Sequence, residues 1–210
     1  FTNMNNIEHI GKYFLMLGQV FRRPDRMKVF KEAVFREIED LGIKSLGIVV
    51  FISFFIGGVV AIQTGLNVDS PFIPKSLVGF ATKRSVILEF SPTFISVILA
   101  GKVGSYITSS IGTMRVTEQI DALEIMGVNS LSFLVLPKII ASVFFYPFLI
   151  VISMFFGILG GYYGGQLTGL FSAVEYIDGI QLDFNPYLLR YAIVKTVVFA
   201  FCIATIPAYH

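Results

Sequence analysis

Leu46 to Ile62 reads LGIVVFISFFIGGVVAI and carries no charged side chain. Extended to Ile43 and Thr64 it reaches about 20 residues, which at 1.5 Å rise per residue match the ~30 Å hydrocarbon core of a bilayer. We read it as the first spanning helix. Downstream, Asn67 to Pro74 reads as a turn and Lys75 to Arg84 as a short polar-flanked helix. A second span is expected from about Val86 to Ile107, interrupted by Glu89, Pro92 and Lys102. Ile139 to Tyr163 and Tyr187 to Tyr209 are the third and fourth, with Gln166 to Pro186 as the connecting loop. Upstream, Ile7, Ile10, Phe14, Leu17 and Phe21 recur at steps of three and four, one face of a helix that lies on the membrane rather than crossing it. Arg22, Arg23, Pro24, Asp25 and Arg26 break that pattern. A second basic amphipathic stretch follows, with Phe30, Ala33, Val34, Ile38 and Leu41 on one side and Lys28, Lys31 and Arg36 near headgroups. The expected organisation is one domain: an interfacial region over 1–42 and a bundle over 43–210.

Composition agrees with this reading. Of the 210 residues 55% are hydrophobic and only 14% charged, with a mean hydropathy of +0.77, whereas soluble domains carry about 25% charged residues. A chain with 22 Phe, 19 Gly and no Trp fits a bundle whose helices approach closely and whose outer faces meet lipid. A net charge of +2 gives no argument for nucleic-acid binding. Cys202 is the single cysteine, so an intrachain disulfide and a thiolate zinc cluster are excluded, and a buried inert thiol is expected. His9 and His210 are too isolated to suggest a metal site or a base, so no metal is expected. The opening stretch is not a cleavable signal peptide in pattern, and a first residue of Phe rather than Met is expected of a trimmed chain.

Lys and Arg set the orientation. Of the sixteen, those at positions 12, 22, 23, 26, 28, 31, 36 and 44 precede the first long apolar run, so the N-terminus and the polar segment from Gly112 to Asn129 should be cytoplasmic. Thr117 can cap a short amphipathic helix in that segment, Glu118 and Asp121 suit its N-terminal dipole, and Gly127 can end it. In the third span Gly157, Gly161 and Gly165 stand at steps of four, with Gly160 and Gly164 beside them. This small-residue ridge admits another helix to backbone contact, either within the chain or across a homodimer seam. Glu89 lies three residues before Pro92, which frees a backbone carbonyl near Leu88. Glu89 either lines a wet cavity or sits at the outer interface, paired with Lys83 or Arg84.

Gly101-Lys-Val-Gly-Ser-Tyr106, followed by Ile111-Gly-Thr-Met-Arg-Val-Thr-Glu-Gln-Ile-Asp-Ala-Leu-Glu-Ile-Met-Gly127, resembles the signature of MlaE-type permeases, membrane subunits of ABC systems that move phospholipid between membranes. The similarity runs from the N-terminal amphipathic helix through Lys195-Thr-Val-Val-Phe199. It implies a permease with no ATPase site of its own, working as a homodimer with a separate ATP-binding subunit that holds ATP and Mg, and with a periplasmic MCE-type lipid-binding protein, in a bacterial inner membrane. It further implies that the loop between the second and third spans is a coupling helix, assigning Arg115, Thr117, Glu118, Gln119, Asp121 and Ala122 to the ATPase interface. The family's Glu-Leu-Gly-Pro maps to Glu89-Phe90-Ser91-Pro92, with Leu88 where an arginine often stands and Ser109-Ser110 where Ala-Glu is common. Members of that family continue past the fourth span to a fifth helix that this sequence does not include, so His210 is expected to be a truncation point or the limit of an ordered region. On this footing Glu89 contacts lipid headgroups, with Leu88, Phe90, Phe54 and Val59 as apolar walls for acyl chains.

Enzymatic readings find no support in motifs: G-x-x-x-x-G-K-[ST], G-x-S-x-G and H-E-x-x-H do not occur. Two other classes compete. An ion-coupled secondary transporter should show paired charges at mid-membrane and a repeat between halves, whereas the deep candidates Glu89 and Lys102 lie about 20 Å apart along one helix. A non-transporting membrane scaffold is the other.

Overall fold

The computed structural model describes residues 6–21, 27–68, 74–127, 129–183 and 185–209. The expectations for Ile7's side chain, for Arg22 to Arg26, for Lys28, for most of the Asn67 to Pro74 turn and for His210 fall outside what is described. Among the described residues all regular structure is helical. The elements are α1 (Asn6–Val20), α2 (Met27–Glu37), α3 (Lys44–Asn67), α4 (Ser76–Ser85), α5 (Ile95–Val116), α6 (Gln119–Ile125), α7 (Ser130–Thr168), α8 (Ala173–Gln181) and α9 (Pro186–Tyr209). Wider π-helical turns over Ile38–Ile43 and Val86–Phe94 join α2 to α3 and α4 to α5 without a break. Four helical runs are long and apolar enough to cross a membrane: Val29–Asn67, Ser76–Val116, Ser130–Thr168 and Pro186–Tyr209.

These runs correct several expected boundaries. The second amphipathic stretch continues without a helical break into the first span, so residues 42 and 43 lie within one helical run. Nothing between Met27 and Lys44 breaks a helix, and Gly42, within the π turn, packs against the Phe145 ring, which a Cβ there would overlap. Likewise Lys75 to Arg84 is the beginning of the second run rather than a helix apart from it. Val29–Asn67 has 39 residues, about 58 Å of helix, so its ends project beyond the hydrocarbon. The stretch from Gln166 to Pro186, where the sequence pattern predicts a connecting loop, holds a helix, α8. Ser172 and Glu175 form a reciprocal capping box at its start, the S-x-x-E pattern that nucleates such a turn.

The chain divides into two compact units, one of residues 1–44, 99–145 and 200–210, the other of residues 45–98 and 146–199. In the first, α1 packs through Tyr13, Met16 and Val20. Tyr13 Oη lies 2.7 Å from Thr205 Oγ1, and the Tyr13 and Tyr209 rings meet edge to face at 5.8 Å. Ile10, Phe14 and Phe21 of the expected stripe are exposed and Leu17 is half-buried. That is the arrangement of a helix lying on a lipid surface.

In the second unit the pattern of α3 is inverted relative to a water-soluble helix. Its buried positions are Ser45, Val49, Ser53, Gly57, Ala61 and Gly65, while Phe51, Phe55 and Val59 are exposed. Small residues inside and large apolar ones outside suit helices that gain packing, rather than hydrophobic burial, from one another. A Cβ on Gly57 would overlap the Gly157 carbonyl, and one on Gly160 would overlap the Phe54 carbonyl. The α4 and α8 helices approach through Gly79 and Gly179 in the same manner. Beside them Ala61, Val78, Phe171 and Tyr176 form a buried cluster, with Phe171 stacked on Tyr176 at 5.4 Å.

Candidate functional site

Pro92 has no N–H to return to the preceding turn, and the helix widens around it from Val86 to Phe94. The consequence is at Leu88, as the sequence suggested: its carbonyl accepts a hydrogen bond from Lys195 Nζ of α9 at 3.3 Å. The same Nζ donates to Glu89 Oε2 at 2.9 Å, and Thr93 Oγ1 donates to that oxygen at 3.3 Å. Lys195 is four-fifths buried whereas the Glu89 carboxylate is 61% exposed. The group therefore presents an accessible carboxylate with a cation held behind it, inside two spanning helices.

The expected pairing of Glu89 with Lys83 or Arg84 is corrected. Lys83 is buried and donates to the carbonyls of Ile180, Leu182 and Asp183, closing the C-terminal end of α8. Arg84 lies over the Phe80 ring. Lys195 could have been found as the only basic residue between Arg190 and the last residue of the fourth span, but nothing in its spacing pointed to Glu89, 106 positions away. Leu88 and Phe90 flank Glu89 and are half-buried, with Phe90 against Phe94 at 5.2 Å. Phe54 lies against Tyr163 at 6.1 Å and the Gly160 backbone, and Val59 is exposed. Phe54 is therefore on the α7 side of α3 and Val59 on its outer surface.

Beside this group, three buried serines from three spans meet. Ser53 Oγ lies 2.8 Å from Ser153 Oγ, which lies 3.0 Å from Ser91 Oγ. Each satisfies the others where no water is available. Ser91 and Ser53 were not singled out in the sequence, since a lone serine in an apolar run has no distinguishing signal.

The second surface is the segment joining α5 to α7. Arg115, Thr117, Glu118, Gln119, Asp121 and Ala122 are all exposed. Thr117 is not the cap expected of it: its hydroxyl donates back to the Thr113 carbonyl at 2.8 Å, and Glu118 takes the position before α6 with φ 57°. Glu118 thus precedes the helix, and Asp121 sits in the first turn, where its charge suits the dipole. Gly127 ends the turn with φ 74°, as the sequence indicated. The segment is held from behind, by Ser130 Oγ donating to Glu124 Oε1 at 3.0 Å and Asn129 Nδ2 to the Gln19 carbonyl at 3.3 Å. Val116 and Ile125 stand out with more than four-fifths of their surface exposed. Two single apolar residues in a charged segment carry no periodic signal in the sequence.

Of the glycine ridge, Gly157 faces Val86 and the Ser53 carbonyl, Gly161 the Tyr176 hydroxyl and Ala61, and Gly165 the Phe171 ring. All three neighbourhoods belong to the same chain.

A family model described as Permease MlaE matches residues 34–210. A probable ABC transporter permease protein of Rickettsia bellii is 31% identical over 202 residues, covering 96% of this chain and 78% of that protein. The intermembrane phospholipid transport system permease protein MlaE of Haemophilus influenzae is 32% identical over 157 residues, 75% of this chain and 58% of that one. The chloroplastic protein TRIGALACTOSYLDIACYLGLYCEROL 1 of Arabidopsis thaliana is 28% identical over 192 residues, 91% of this chain and 55% of that one.

Proposed function

The chain belongs to the MlaE permease family, and from that premise we propose that it is the membrane subunit of an ABC transporter that moves phospholipid between membranes. The relative named for intermembrane phospholipid transport supports the substrate class, and the relatives named as ABC permeases support a separate ATPase as the source of work. In this reading the chain performs no chemistry. Two copies form the permease, two ATPase subunits dock on the α6 surfaces, and an MCE-type lipid-binding protein exchanges lipid on the periplasmic side of a bacterial inner membrane.

The observation that carries the headgroup role is Lys195 bridging the Leu88 carbonyl and the Glu89 carboxylate. Charges within spanning segments are costly and usually serve a path or a site. An arriving phosphate competes with Glu89 for Lys195, while the freed carboxylate accepts a donor from the headgroup. Closure of the ATPase pair would be transmitted through the exposed turn at Val116–Gln119 into α5, whose continuous helical run carries Glu89. Purification of the intact assembly tests the whole reading: an ATPase should copurify, and phospholipid should stimulate its hydrolysis. A chain that purifies without an ATPase, or hydrolysis indifferent to lipid, returns the protein to the scaffold or secondary-transporter classes.

A further inference from the structure

A cavity of about 490 Å³ opens between α2, α5 and α7, lined wholly by residues of the first unit. That volume is within the range of small-molecule sites, ~300–1,000 Å³. Its charged lining is Glu32, Arg36, Glu37 and Lys138, two acids and two bases. Ala33, Met114, Phe133, Leu134 and Pro137 make much of the rest apolar. Lys138 is buried at 3% exposure and committed: its Nζ donates to Glu37 Oε1 at 2.5 Å and lies 5.1 Å from the centroid of the Tyr106 ring. Glu37's second oxygen, Oε2, is buried and has no hydrogen-bond partner among the described residues. A buried carboxylate oxygen without a donor is costly to maintain. Arg36, the adjacent residue, lines the same cavity with its side chain exposed.

The cavity thus has an unpartnered carboxylate oxygen within its wall and an exposed cation at its solvent edge, over an apolar floor. One molecule carrying an N–H cation, a phosphate and alkyl chains answers all three. We propose that this cavity binds the headgroup of a primary-amine phospholipid, the ammonium donating to Glu37 Oε2 and the phosphate accepting from Arg36. The site is additional to the Glu89–Lys195 group and shares no residue with it. A trimethylammonium headgroup has no N–H to give Glu37. A glycerol headgroup leaves the lipid with a net negative charge beside Glu32 and Glu37. Selectivity for the primary amine is therefore the signature of the site.

A photoreactive residue inside the cavity reads this directly. The full-length protein carrying Phe133→p-benzoylphenylalanine is reconstituted in vesicles of equal phosphatidylethanolamine, phosphatidylcholine and phosphatidylglycerol, irradiated, and its adducts weighed by mass spectrometry. Phosphatidylethanolamine adducts should exceed each of the others by about tenfold, the ratio that one charge-assisted hydrogen bond supports. Glu37→Gln should bring the ratio close to one. Should that variant fail to fold, the charge-free pair Glu37→Met with Lys138→Met carries the same expectation, whereas Arg36→Gln, which removes the contact to the phosphate common to all three lipids, should lower all three adducts together. Soluble glycerophosphoethanolamine at millimolar concentration should leave the adducts in place; if it abolishes them, a chainless phosphoamine is the ligand and the lipid assignment falls. Equal adducts from the three lipids, a preference unchanged in the Glu37 variants, or adduct yields unchanged in Arg36→Gln, overturns the proposal. Because the probe sits in this cavity, failure of the Glu89 headgroup reading leaves its result unaffected.

Discussion

Lys138 carries its charge at 3% exposure, and the Glu37 carboxylate answers it at 2.5 Å. Removing one member of such a pair strands the other, at roughly 3–5 kcal/mol, whereas removing both together is often close to neutral. Lys138→Met should therefore lower the denaturation midpoint of the purified protein sharply, and addition of Glu37→Met should restore most of the loss. A single variant as stable as the parent would show the pair to be hydrated and unimportant to the fold. Glu89 is the opposite kind of residue, an acid more than half exposed and held by Lys195. Glu89→Gln keeps the hydrogen bond to Lys195, while Glu89→Lys sets two cations against each other. Lipid transport and lipid retention should fall more in the Lys variant than in the Gln variant, with expression and ATPase assembly intact. Wild-type transport in Glu89→Lys would remove the carboxylate from any headgroup role.

At the scale of elements, close approach of α3 and α7 rests on the absence of a side chain at two positions. A Cβ at Gly57 or Gly160 meets backbone, which cannot rotate away, whereas Gly101 and Gly112 have open space. Gly57→Ala and Gly160→Ala should each destabilise by ~1–3 kcal/mol. Gly101→Ala and Gly112→Ala should be neutral or stabilising by up to ~1 kcal/mol, since alanine favours a helix interior. Thermal denaturation in one detergent compares the four, and equal midpoints would refute the packing argument. The element that faces a partner is α6 with the turn before it. Glu118 and Asp121 are both exposed, the first at the cap position of α6 and the second in its first turn. Reversing both to Lys should dissociate the ATPase or uncouple its hydrolysis while the permease stays folded, and a normally assembled, normally transporting double variant would exclude these residues from coupling.

For the whole molecule, the basic residues gathered at positions 12–44, ahead of the apolar core of the first run, lead us to expect the N-terminus and α6 in the cytoplasm. In a Cys202→Ser background, a cysteine at Gln119 should resist an impermeant thiol reagent added to intact cells and react once the membrane is opened. Labelling from outside would invert the topology and with it the coupling assignment.

The all-α membrane architecture was legible in Leu46–Ile62 and the three runs after it, because a bilayer forces every backbone group to be satisfied within its own segment. Helix is then a local property, and runs of apolar residues suffice to find it. Gly127 as a terminator and the carbonyl freed by Pro92 were legible for the same reason, since each acts within a turn of its own position. The exposed loop between the second and third spans followed from its charge. What the tertiary structure decided is which residue answers which. Glu89 meets Lys195 and not Lys83, Glu37 meets Lys138, and Ser53, Ser91 and Ser153 meet one another, at separations in sequence that carry no periodic signal. The extension of the first and second runs past their apolar cores was likewise decided by packing, Gly42 against Phe145 and Gly79 against α8. A polar side chain in an apolar span must find a partner, but the amino-acid sequence states only the need, and the partner is whichever group the packed helices bring within hydrogen-bond reach.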